Sequence, residues 1–441
     1  MTKYTVTGGK KLQGVVTLAG AKNAGFKAMI AALLAETPSK ICDLGLISEI
    51  DFAVEVISSL GANVKTLDDP HCVIVDPANM SCDSVPVTIG SKSRSVTMYV
   101  GPLLKKFGRA VLPIPGGDNV GARPIDRHFE GLVSLGAKVN FTNGCFVVSA
   151  LEGLRGNRYR FNKNTHTGTE TLLMSAVFAR GVTVLENAAA EPEIDDMIAL
   201  LNSMGAKIMR PEARTIRIVG VEKLHGVNHS VMKDRIEAAT FACMALATKG
   251  DVDVIGADPL VLTAFLEKVN EIGGRWEKNE TGIRFWYEKP LMATDVLATY
   301  YPGFMTDWQP IWSALMTQVT GESIVHETVY ENRFAHISDL AKMGGVFEFF
   351  NPEVANAEEV YNFNLSDDKP GNFHAVKIFG PQNLNGGEIE VNDIRRGATI
   401  MLAGLSAKGK TIIIDEKDQI KRGYENLVGR LQKLGAGVII N

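Results

Sequence analysis

The sequence predicts an α/β fold of two domains built from six repeated α/β units, with helices inside and sheets around them. Three observations carry this expectation: the length, a helix–glycine–strand pattern that occurs six times, and a second set of helices that is apolar nearly all round.

At 441 residues with 45 % apolar positions, the chain exceeds what one ordinary core accommodates and can fill two domains of roughly 200 residues each. Formal net charge is −4, with both signs interspersed, which argues against a general nucleic-acid binder with its basic stripe. Cys42, Cys72, Cys82, Cys145 and Cys243 are odd in number and scattered, without CxxC pairs. Neither a disulfide framework nor a zinc site is indicated, and a reducing compartment is expected. The opening Met1-Thr2-Lys3-Tyr4 lacks the layout of a signal peptide, and no apolar run approaches the ~20 residues that span a bilayer. A cytoplasmic protein with small-molecule partners is expected, with no nucleic acid, membrane or obligate protein partner.

The repeat is a helix-period segment, then Gly-Ala or Gly-Gly, then a short β-prone run. It occurs at Leu60-Gly61-Ala62, Leu135-Gly136-Ala137, Met204-Gly205-Ala206, Ile272-Gly273-Gly274, Met343-Gly344-Gly345 and Leu434-Gly435-Ala436, at intervals of roughly 70 residues apart from a longer last one. Met197, Leu200, Leu201 and Met204 form one apolar helix face, and the glycine supplies a left-handed cap. The polar, turn-rich stretch Asn351–His374 accounts for the longer interval and reads as an insertion loop.

Between these copies lies the second helix set: Ala24 to Ala35, Val96 to Gly108, Thr171 to Gly181, Ala238 to Gly250, Pro310 to Gly321 and Ala398 to Gly409. Residues such as Ala239, Phe241, Ala242, Met244, Ala245 and Leu246 leave no polar face, so these helices belong inside while the first set faces solvent. No Gly-x-Gly-x-x-Gly opens a helix after a strand, which weakens a nicotinamide-binding reading.

Four segments join a turn to charged groups. Lys22, in Gly20-Ala21-Lys22-Asn23-Ala24, opens a helix, where a cation is disfavoured unless an anion sits with it. It reads as an anion site or as a solvated lysine. Pro115–Pro124 is glycine-rich and carries Asp118 and Arg123; it reads as a functional or a plain surface loop. In Pro302–Gln309, Thr306 or Asp307 could simply cap the next helix. Asp393-Ile394-Arg395 and Lys421-Arg422-Gly423-Tyr424 lie near late helix starts, where arginine often only decorates the surface.

Taken together with Glu186-Asn187-Ala188-Ala189-x-Glu191-Pro192-Glu193 and Glu331-Asn332-Arg333-Phe334, these segments resemble, from end to end, the UDP-N-acetylglucosamine 1-carboxyvinyltransferase family of enolpyruvyl transferases. The resemblance implies an inside-out α/β barrel fold, with one domain at residues 22–232 and another at 1–21 and 233–441, each of three units. The implied reaction moves the enolpyruvyl group of phosphoenolpyruvate to the 3'-hydroxyl of UDP-N-acetylglucosamine, with no metal or other cofactor. It proceeds by addition and then elimination of phosphate. Lys22, Asn23, Arg123, Arg395 and Arg422 would hold phosphoenolpyruvate, guanidinium forks suiting both phosphate and carboxylate. Asp307 would be the general base. Arg94, Arg123, Pro124, Ile125, Asp126, Arg127, Asp307 and Val329 would hold the UDP-sugar. Asn164, Thr165, His166 and Thr167 align with a further uridine segment, although that segment is usually of the Lys-Val-Ser-Val type.

Asp118 stands where most of the family has the cysteine that donates a proton and that the epoxide antibiotic fosfomycin alkylates. An aspartic acid serving there near neutrality needs its pKa raised by about three units from ~3.9, or ~4 kcal/mol of preference for the neutral form. Alternative readings are transfer to shikimate 3-phosphate or another nucleotide, and an idle paralogue that binds UDP-sugar.

Overall fold

The computed structural model describes residues 1–117 and 121–441. They form two compact units. The first takes in Met1–Ala19, residues 121–123 and Lys233–Asn441, and the second Gly20–Gly117 and Pro124–Met232.

In the second unit the buried helices are α1 (Lys22–Ala32), α2 (Val100–Phe107, continuing a 3₁₀ turn at Arg94–Tyr99) and α3 (His166–Ala176). Every residue of α1 from Ala24 onward is buried. α2 packs on α3, and the 3₁₀ turn touches both α1 and α3. A Cβ on Gly101 would come within 3.1 Å of the Met174 backbone, so glycine lets α2 approach α3 this closely without either helix giving way. Three sheets cover these helices. In one, Ser39–Cys42 pairs antiparallel with Val73–Asp76 and parallel with Asn228–Ser230.

The first unit repeats the plan with α4 (Arg235–Ala247), α5 (Gln309–Met316) and α6 (Ile394–Ser406) packed on one another. All residues of α4 and α5 are buried, as the absence of a polar face requires. Three sheets again surround them. The N-terminal strand Thr2–Thr7 lies between Lys410–Asp415 and Gly437–Ile440, in register Val6↔Thr411 and Val6↔Val438.

The outer helices end as the repeat predicts. Ser48–Ser59 is followed by Gly61 at φ +88, and Leu427–Lys433 by Gly435 at φ +90, a backbone conformation that favours glycine. Of the inner helices, α2 ends directly on Gly108 at φ +66, whereas α3, α4, α5 and α6 stop a few residues before their glycines. In α5 the Thr317 hydroxyl donates back to the Ala314 carbonyl at 2.7 Å, and the Thr320 N–H already pairs with Leu291. Extended pairing therefore begins upstream of Gly321.

Two further features differ from the sequence reading. Cys42 and Cys72 form a disulfide, with Cα atoms 4.1 Å apart. They meet because the antiparallel register Ile41↔Val73 carries on by one step, which thirty residues of linear spacing do not reveal. The Asn351–His374 stretch contains a helix at Ala357–Val360 and buries Tyr361, Phe363 and His374 as a ring cluster. The Asn362 N–H donates to the Thr328 carbonyl at 2.7 Å, so the stretch is docked. Among the described residues no helix is long and apolar enough to cross a membrane.

Candidate active site

In the first unit the turn before α5 carries the central carboxylate. The residue at the cap position of α5 is Trp308, and no side chain caps it. Neither Thr306 nor Asp307 is spent on capping. The Thr306 hydroxyl donates to Glu327 Oε2 at 2.8 Å. Asp307 Oδ1 accepts from Arg333 Nη2 and from Arg395 Nε, each at 3.3 Å. Both arginine side chains are buried, whereas the Asp307 side chain keeps 27 % of its surface exposed. A partly open carboxylate held by two enclosed guanidiniums is an arrangement for a polar ligand, because a purely structural ion pair gains nothing from the opening.

Arg395 sits in the first turn of α6, where a cation is unfavourable. The Asp393 carboxylate answers this by capping the helix, accepting from the Arg395 and Arg396 N–H groups at 2.9 Å each. Arg395 Nη1 donates to the Tyr424 hydroxyl at 3.2 Å, and that hydroxyl meets Thr240 Oγ1 at 3.1 Å. Burial raises the Tyr424 pKa, although Arg395 and Thr240 act downward, so the phenol stays neutral. Arg422 lies on the short helix Gln419–Gly423, whose first N–H groups are held by Asp415 at 2.8 Å. A Cβ on Gly423 would come within 2.1 Å of Ile394. The helix bearing Arg422 thus rests directly on the start of α6, beside Arg395.

Arg123 approaches the same region. Its guanidinium lies 5.9 Å from the Tyr330 ring, whose centroid is 5.3 Å from the Arg333 guanidinium. Preceding it, the Ala122 N–H donates to Glu331, and a Cβ on Gly121 would meet the Glu331 carboxylate at 2.5 Å. The Val329 N–H donates to Glu327 Oε1 at 2.8 Å. Asp118 lies outside the described residues.

The second unit holds the other expected residues. Lys22 is the first residue of α1, which has no side-chain cap, and its ammonium is 5.9 Å from the Phe26 ring. Asn23 follows it on the same turn. One turn on, buried Lys27 pairs with Glu170 at 2.8 Å, and His166 Nε2 lies 3.3 Å from the Lys27 ammonium. Burial and Lys27 lower the His166 pKa, yet Glu170 outweighs them and leaves it raised.

Arg94, Arg127 and Thr167 gather around His128. Burial, then the charges of Arg94 and Arg127, push its pKa down to about 3, and its Nε2 is 2.9 Å from the Thr167 hydroxyl. Pro124 and Ile125 lead into the helix Asp126–Ser134, where Asp126 accepts from the Arg127 N–H at 2.8 Å. Thr165 caps α3, and the Asn164 amide donates to the Asn187 carbonyl. Asn164–Thr167 are thus tied into the unit by hydrogen bonds of their own.

Reasoning from sequence did not single out Arg333, Glu327, Glu331 or Tyr424 as site groups. Arg333 and Glu331 lie in a quoted signature, and Tyr424 follows Arg422. The signal that they act together is pairing across distant segments, which spacing does not carry. Among the described residues no cluster of three or more His, Cys, Asp or Glu side chains is arranged to hold a metal ion.

Residues 6–431 match the family model described as EPSP synthase (3-phosphoshikimate 1-carboxyvinyltransferase). The chain is 36 % identical over 439 residues to UDP-N-acetylglucosamine 1-carboxyvinyltransferase 1 of Staphylococcus aureus (strain MRSA252), covering 99 % of each chain. It is 37 % identical over 439 residues to UDP-N-acetylglucosamine 1-carboxyvinyltransferase 3 of Caldanaerobacter subterraneus, covering 100 % of this chain and 99 % of the other. Among solved structures, the enolpyruvyl transferase NikO from Streptomyces tendae superposes with a TM-score of 0.87 at 20 % identity, over 100 % of this chain and 99 % of the other. EPSP synthase from Acinetobacter baumannii gives 0.74 at 18 %, over 100 % of both chains. These two likenesses bear on the fold alone.

Proposed function

We propose, for a chain that belongs to the EPSP synthase family, transfer of the enolpyruvyl group of phosphoenolpyruvate to the 3'-hydroxyl of UDP-N-acetylglucosamine with release of phosphate. This is the first committed step of peptidoglycan synthesis, and we place it in the cytoplasm. Likeness over nearly the whole length to relatives named for that acceptor supports the substrate. The observation that carries the chemistry is Asp307, partly open and held by Arg333 and Arg395.

In this reading Asp307 accepts the proton of the sugar 3'-hydroxyl as its oxygen adds to C2 of phosphoenolpyruvate, and Asp118 donates a proton to C3. The tetrahedral adduct then loses phosphate: the C–O bond to phosphate breaks, a proton passes from C3 back to the Asp118 carboxylate, and the enol ether remains. Lys22, Asn23, Arg123, Arg395 and Arg422 hold the phosphate and carboxylate by charge-assisted bonds, each contributing ~1.5–3 kcal/mol. Losing one of them weakens binding severely without abolishing it. Arg333 joins this set, since its guanidinium already grips a carboxylate. Arg94, Pro124, Ile125, Asp126, Arg127, Val329 and the run Asn164–Thr167 hold the UDP-sugar. Residues 22–232 and 1–21 with 233–441 are the proposed folding domains.

The family model is named for 3-phosphoshikimate, so that acceptor is the second reading. Phosphate release with phosphoenolpyruvate and either UDP-N-acetylglucosamine or shikimate 3-phosphate separates the two. Release with neither favours an idle UDP-sugar binder.

A further inference from the structure

Glu327 ends the strand Gly321–Glu327 with its side chain wholly enclosed. Its two oxygens serve different segments. Oε2 accepts from the Thr306 hydroxyl at 2.8 Å, and Oε1 accepts from the Val329 and Tyr330 N–H groups at 2.8 and 3.2 Å. Thr306 precedes the proposed base, Asp307, and Val329 is a proposed contact of the sugar. We propose that Glu327 is the positioning residue of this reaction, its carboxylate tying the turn that carries Asp307 to the turn that presents Val329 to the acceptor. The inference rests on the functional reading above.

Two physical arguments support it. First, joining one hydroxyl and two N–H groups needs only acceptors, and a neutral side chain would avoid the cost of enclosing a charge. Burial drives the Glu327 carboxyl up to about 7, against Arg333 and its three hydrogen bonds, which act downward. Second, Arg333 is the cation that also holds Asp307. Arg333 thus bonds Asp307 directly and acts on Glu327 through its charge alone, so both carboxylates respond to one guanidinium.

The test is steady-state kinetics of phosphate release from phosphoenolpyruvate and UDP-N-acetylglucosamine by the full chain, with thermal melts as a folding control. E327A loses both ties. Its kcat/KM for the acceptor is expected to fall about 10–100-fold through both kcat and KM, while the KM for phosphoenolpyruvate moves less than about threefold. E327Q keeps an oxygen for Val329 and Tyr330, and its amide can donate to the Thr306 hydroxyl in place of accepting from it, so it should hold kcat and the acceptor KM within about threefold of wild type. T306V removes only the hydroxyl that meets Glu327, and its acceptor KM should stay near wild type while kcat falls about 3–10-fold. T306V therefore tests the tie even where E327A fails to fold.

A folded E327A with unchanged acceptor parameters, or with the phosphoenolpyruvate KM rising equally, overturns the inference, as does T306V with unchanged kcat. Wild-type chain that releases no phosphate removes the functional reading and this inference together. An active wild type with an unaffected variant removes the inference alone.

Discussion

Asp307 Oδ1 lies 3.3 Å from Arg395 Nε, joining a turn before one buried helix to the first turn of another. The carboxylate is the reactive half of this pair in the proposed chemistry. D307A should remain folded and lose about 10²–10⁴-fold in kcat, the range for removing a general base. Single-turnover phosphate release measures this. Loss of less than about tenfold would move the role of base to another group.

Arg395 makes two directed bonds, to Asp307 and to the Tyr424 hydroxyl. Lysine keeps the charge but has no fork to reach both. R395K should lower kcat/KM for phosphoenolpyruvate about 10–100-fold, whereas Y424F, which removes one hydroxyl, should cost less than about tenfold. Equal effects of the two would mean that the geometry around Arg395 matters less than its charge.

His336, buried in the first unit, has its pKa pushed down to about 3 by burial and then by Arg333. Unfolded histidine titrates near ~6.5, so below that pH the unfolded chain binds the extra proton. The contribution is fully present above pH ~6.5 and is lost as pH falls toward 3, the loss reaching about 2 kcal/mol by pH 5. H336Q removes it. Urea titrations at pH 7 and pH 5 should show the wild type losing about 2 kcal/mol more than H336Q over that interval.

Asp118 replaces the thiol that fosfomycin alkylates in the family it resembles. Intact-mass spectrometry after incubation with UDP-N-acetylglucosamine and fosfomycin should show no adduct on the wild type and one adduct on D118C. An adduct on wild-type Asp118 contradicts the assignment.

The repeats were legible because their signals are local. An all-apolar helix must be buried, and a glycine after a helix marks its left-handed end, so the plan of inner helices and outer helix–strand pairs is readable from the six copies and the apolar helices between them. The end of α5 was not, because Thr317 and Thr320 settle it through contacts with Ala314 and Leu291.

The site was legible in part. Asp307, Arg123, Arg395 and Arg422 were named from their segments, and the structure brings Asp307 and Arg395 into contact and sets the helix of Arg422 beside Arg395. Arg333 and Glu327 gain their meaning only from meeting Asp307 and Thr306 across 26 and 21 residues. The Cys42–Cys72 pair was missed for the same reason: sheet register, not spacing, joins them.

The most direct test of the central claim is phosphate release by the purified chain with phosphoenolpyruvate and each acceptor in turn. The account predicts stoichiometric phosphate and an enolpyruvyl ether of UDP-N-acetylglucosamine, with none from shikimate 3-phosphate. Turnover of shikimate 3-phosphate instead, or of neither acceptor, would contradict it.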